Sequence, residues 1–125
     1  MMEESKVRKY DLEERLIQFA LGIISLVEKL PDNKTGNHIG GQILRSGTSP
    51  ALNYGEAQAA ESKSDFIHKM KICLKELRET RVSLKIIIRK PLVKNDTDAE
   101  TLLSECSELI SIFAASINTA QKNKK

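Results

Sequence analysis

The sequence predicts an all-α protein: an antiparallel up-down-up-down four-helix bundle whose second helix is kinked at a proline. Three observations carry this expectation. Apolar residues recur at spacings of three and four in four long stretches, as one face of a helix requires. Short clusters of turn-forming residues separate those stretches. Aromatic residues make up only 4% of the chain and Trp is absent. Leu, Ile and Ala must therefore fill the interior, which favours helix packing over a sheet sandwich. At 125 residues the chain makes a single domain, 1–125, with helices expected at about 11–30, 36–61, 63–90 and 97–121.

The first helix is expected to start at Asp11 as N-cap, with Glu13 and Glu14 in the first turn, where the helix dipole favours acids. Leu12, Leu16, Phe19, Ile23, Leu26, Val27 and Leu30 form its wide apolar face. Ile17, Leu21 and Ile24 are apolar outside that face, so this helix is expected to be covered on a second side, by the bundle or by another subunit. The turn cluster from Pro31 to Asn37 ends it.

The second helix begins near Thr35 to His38 and carries Ile39, Ile43 and Leu44 before meeting Pro50. Proline removes an amide donor and clashes with the carbonyl four residues back. Two readings follow. In one, a loop over residues 46–50 separates two helices, with Ser49 as N-cap and Pro50 at the first helical position. In the other, which the unbroken apolar phase favours, one helix continues through a kink. Asn53 and Glu56 then share a face just past the proline. They either face a cavity or ligand, or satisfy backbone and neighbouring-helix groups around the kink, and the second role is the better supported. Gly47, Ala51, Gly55, Ala59 and Ala60 give this helix a small-residue surface that permits close approach.

Ser62 or Ser64 caps the third helix, which stops before Pro91. Its buried stripe is expected to be Phe66, Met70, Cys73, Leu77, Leu84 and Ile88, with Ile67 and Leu74 at the edge. Asp96, Thr97 and Asp98 form the cap cluster of the fourth helix, which buries Leu102, Cys106, Leu109, Phe113 and Ile117. Residues 121–125 read as a frayed basic tail.

No catalytic pattern emerges. The glycines match neither GxGxxG nor GxxxxGK[ST], and Ser46 and Ser49 lack a base at a recognisable spacing. His38 and His68 have no HExxH or CxxC partner, so no metal or other cofactor is expected. An enzyme would require Glu56 and a second carboxylate to converge on a metal. Cys73 and Cys106 read as reduced core thiols of a reducing compartment. With no signal-like apolar run and no window of about 20 apolar residues, a cytoplasmic protein is expected, without a membrane partner.

The interaction signal lies on the third helix. At about 100° per residue, Lys71, Lys75, Arg78, Lys85 and Arg89 fall in one narrow sector, beside the expected buried stripe. Glu76 and Glu79 lie on another flank with Ile72 and Ile86. The plain reading is a solvated helix with pairs such as Lys75 to Glu79. The stripe also suits a phosphate backbone, by sequence-independent, salt-sensitive contacts. Alternatively, basic and acidic flanks meet across copies in a head-to-tail ring. The formal net charge of +3 does not by itself imply nucleic acid.

The run Ile43-Leu44-Arg45-Ser46-Gly47-Thr48-Ser49-Pro50-Ala51-Leu52-Asn53-Tyr54-Gly55-Glu56, followed by Cys73, Leu74, Glu76 and Leu77, resembles the bacterial four-helix bundle proteins encoded in intervening sequences of 23S ribosomal RNA genes. The resemblance spans roughly residues 12–120. It implies a homopentameric ring and no catalytic residue. It further implies a relation to the accessory proteins of diversity-generating retroelements, similar pentamers that bind a reverse transcriptase and nucleic acid through a basic surface. The resulting expectation is a non-enzymatic oligomeric scaffold that contacts RNA or DNA, or a nucleic-acid-processing protein, through Lys71, Lys75, Arg78, Lys85 and Arg89. Pro50, Asn53 and Glu56 are structural kink residues in this reading. The alternative is a structural or protein-binding module whose basic stripe is used between subunits.

Overall fold

A computed structural model describes residues 2–94 and 97–123, with side chains from residue 12 onward. Among the described residues there are four helices and no strand: α1 (Met2–Glu28), α2 (Lys34–Gln58), α3 (Lys63–Arg89) and α4 (Thr97–Lys122). α1 extends past the expected start at Asp11, which lies within it. The expected cap residue Asp96 and tail residues Lys124 and Lys125 fall outside the described residues.

Local chemistry sets the other starts. Asn33 is in extended conformation, and its side chain accepts the Gly36 amide at 2.8 Å, capping α2 slightly ahead of the expected start. Ser62 does the same for α3, accepting the Asp65 amide at 3.0 Å, while Asp65 places a negative charge in the first turn. Gly36 is obligatory: a Cβ there would stand 1.9 Å from the Pro31 carbonyl oxygen. α2 continues without interruption through Pro50, so a loop over residues 46–50 does not form.

Among the described residues α1 packs against α2 and α4, and α3 packs against the same two helices, leaving α1 and α3 diagonal to each other. Leu16, Phe19, Ile23 and Leu26 enter the core from α1, as expected, and meet Ile43, Tyr54 and Ala57 of α2. Tyr54 reaches across to Phe113 of α4, with ring centroids 5.9 Å apart in an edge-to-face arrangement. On α3 the buried set departs from expectation. Ile67, Ile87, Glu76 and Thr80 are buried, whereas Phe66 and Ile88 are only partly so. Periodicity places polar residues outside, but Thr80 is satisfied within the core. Its hydroxyl lies 2.8 Å from the Ser46 hydroxyl of α2 and 2.9 Å from the Glu76 carbonyl. Among the described residues no buried side-chain polar atom lacks a hydrogen-bond partner.

Both thiols are buried and free. Cys73 Sγ lies 3.6 Å from the Pro50 carbonyl oxygen and Cys106 Sγ lies 3.2 Å from that of Leu77. Burial pushes both up to about 12 from an ordinary 9.0, so each is a protonated core side chain.

Candidate functional surface

Lys71, Lys75, Arg78, Lys85 and Arg89 are all exposed on α3. They span a sector of roughly 80° at helical spacing. Burial of Glu76, Thr80 and Ile87 swings the covered side of α3 round, so the cations stand opposite the core rather than beside it. Among the described residues Lys75 is the member of this stripe that joins an ion pair, with Glu79 at 4.0 Å. Two apolar residues interrupt the basic character: Val82 falls within the sector at 56% exposed, and Ile86 borders it at 44%.

The acids near this stripe are directed toward α2. Arg45 donates to Glu76 at 2.9 Å and to Glu79 at 3.1 Å, tying α2 to α3. Glu76 is nearly covered while Arg45 stays exposed. The hydrogen bond to Glu79, with the charge of Glu76, holds the Arg45 guanidinium pKa above its ordinary value. A matching clamp joins α1 to α4: Arg15 contacts Glu105 at 2.7 Å and Glu108 at 3.0 Å. Its guanidinium is also raised, mainly by the hydrogen bond to Glu105. Lys29 reaches Asp98 at 2.7 Å in the same groove. These inter-helix contacts were invisible to periodicity, because their members are 31 or more residues apart.

The residues around the proline have local partners. Asn53 donates to the Ser49 carbonyl at 3.1 Å and to the Ser49 hydroxyl at 2.8 Å, one residue before Pro50. Glu56 is exposed and pairs with Lys69 of α3 at 2.7 Å. That pair raises the lysine, chiefly through the hydrogen bond. Among the described residues no group of three or more His, Cys, Asp or Glu side chains is placed to hold a metal. Glu56, Glu61, Asp65 and Lys69 line only a shallow, open depression at the α2–α3 turn. Among the described residues no helix is long and apolar enough to cross a membrane.

The sequence model of the 23S rRNA-intervening sequence protein family matches residues 8–115. The chain belongs to this family. Its fold is similar to a crystal structure from Bacteroides thetaiotaomicron, a protein of unknown function from the S23 ribosomal protein family. The two share 32% sequence identity and a TM-score of 0.77, covering 85% of this chain and 97% of the other. Among curated proteins none matches.

Proposed function

We propose that this member of the family is a non-enzymatic helical scaffold that assembles with copies of itself, as a homopentamer, and meets a nucleic acid or a nucleic-acid-processing protein such as a reverse transcriptase through its basic surface. The protomer in this reading is an antiparallel up-down-up-down bundle with α2 kinked at Pro50. Support for that order comes from paired contacts: Arg15 meets Glu105 while Lys29 meets Asp98, and Arg45 meets Glu76 while Glu56 meets Lys69. Support for the kink comes from the missing proline amide and the Asn53 bonds to Ser49 beside it.

The observation that carries the nucleic-acid part is the stripe of five exposed cations on α3, with a single 4.0 Å pairing, that of Lys75 to Glu79, among the described residues. Cations that are not consumed within the protomer are free to displace counterions from a phosphate backbone. A ring would repeat the stripe in each copy and multiply a modest charge. Binding of RNA and of duplex DNA across a salt series tests this. Affinity is expected at low salt, falling steeply as salt rises, and lost when Lys71, Lys75 and Arg78 are changed to Glu. Absence of binding at low salt, or indifference to the triple change, refutes it.

A second reading is favoured by Val82 and Ile86. Apolar residues exposed in and beside a basic stripe gain nothing from a phosphate backbone, but they suit a protein surface. In this reading part of the stripe is used between subunits.

A further inference from the structure

The outer side of α1 is the counterpart of the outer side of α3. Ile17, Leu21 and Ile24 are exposed there at 38%, 51% and 38%, on the side of α1 away from its buried residues. Glu13 and Glu14 precede them and Glu28 follows, all exposed. Between Leu12 and Glu28 the one cation of α1 is Arg15, and it turns aside to bind Glu105 and Glu108 of α4. The order along α1 is thus acid, apolar, acid. On α3 the order is cation, apolar, cation: Lys75 and Arg78, then Val82 and Ile86, then Arg89, with Lys85 alongside. Glu14 to Glu28 and Lys75 to Arg89 cover the same number of residues, about 21 Å at 1.5 Å per residue.

We propose that these two faces meet between copies: the outer face of α1 on one molecule takes the Lys75 to Arg89 stretch of the α3 stripe of the next. The assignment rests on the self-association reading above and names its surfaces. The apolar residues supply the desolvated centre and the opposite charges at both ends fix the register. Two copies of the α1 face would instead set Glu13 and Glu14 against Glu28, like charges in contact. α1 and α3 are diagonal in the bundle, so the contact is head-to-tail and each molecule keeps one face of each kind for its neighbours. Leu44 and Leu52 of α2 are also exposed. Lys71 precedes the matched stretch and is left outside it.

Sedimentation of the full chain across concentration, without nucleic acid, tests the assignment. Glu14→Lys with Glu28→Lys, and separately Lys75→Glu with Arg89→Glu, one change at each end of each face, are expected to weaken association about tenfold or more. Combining all four changes restores it, and Lys71→Glu leaves it unchanged. Leu21→Glu, at the centre of the apolar run, abolishes it. All these positions are exposed, so circular dichroism is expected to stay native. If the unaltered protein sediments only as a monomer, self-association itself falls and the assignment with it. If it assembles but ignores both charge reversals, or the fourfold variant fails to recover, the faces are wrongly assigned while self-association stands.

Discussion

Gly47 and Gly41 sit in the same helix and meet opposite surroundings. A Cβ on Gly47 would stand 2.8 and 2.9 Å from the two γ carbons of Ile23, a buried β-branched side chain with little freedom to move. Overpacking of this kind costs about 1–3 kcal/mol, against a helix-propensity gain of about 1 kcal/mol over glycine. Gly47→Ala is therefore expected to lower stability in a urea titration. Gly41 has open space around its Cβ position, so Gly41→Ala is expected to raise stability by about 0.5–1 kcal/mol in the same titration. The buried hydroxyl pair gives a second test. Thr80→Val preserves shape but deprives Ser46 of its partner, at a cost of about 1–2 kcal/mol. Adding Ser46→Ala is expected to recover part of that loss, because no hydroxyl is then stranded. The thiols give a pH-dependent test. Folding raises both from 9.0 to about 12, so their stabilising contribution is complete below pH 9.0 and is lost as pH rises toward 12. Thiol reagents at pH 8 are accordingly expected to label Cys73 and Cys106 only as the chain unfolds, on the timescale of unfolding.

The helices differ in how much of them was legible from sequence. The starts of α2 and α3 and the stop before Pro91 follow from short-range chemistry, in which a cap side chain and an amide three residues on suffice. The continuity of α2 through Pro50 was legible from the apolar phase that Ile39 and Ile43 set and that runs on past the proline. The covered side of α3 was read less well. Glu76 and Thr80 are polar, and only the arrival of Arg45 and Ser46 from a distant part of the chain makes their burial affordable. The five cations of the stripe were legible because spacing along one helix is a local property. Their orientation, opposite the core, depended on Glu76 and Thr80 and so was not. Neither was the α1 to α4 clamp, whose partners are 90 or more residues apart. At this scale the Arg45 connection is expected to matter more than the Lys75 pair. Arg45→Ala leaves the nearly covered Glu76 without its cation, whereas Lys75→Ala removes only an exposed 4.0 Å contact. Thermal denaturation should therefore show the larger loss for Arg45→Ala.

At the level of the whole molecule, two exposed faces stand on diagonal helices, one acidic and apolar, the other basic and apolar. Among the described residues seven large aliphatic side chains are exposed, five of them on α1 and α2, and the proposed assembly would cover those of the two faces. Family membership and the similarity to the Bacteroides thetaiotaomicron structure account for the fold. The charge and apolar patterning supports assembly as the purpose the fold serves. The proposed contact between copies would cover Lys75 to Arg89 and so competes with a nucleic acid for the same stripe, a choice that the salt series and the sedimentation series decide. The most direct measurement is the mass of the purified full chain in solution by light scattering at micromolar concentration. The account predicts one discrete species at five times the 14.0 kDa chain mass. A monomer under those conditions would contradict it.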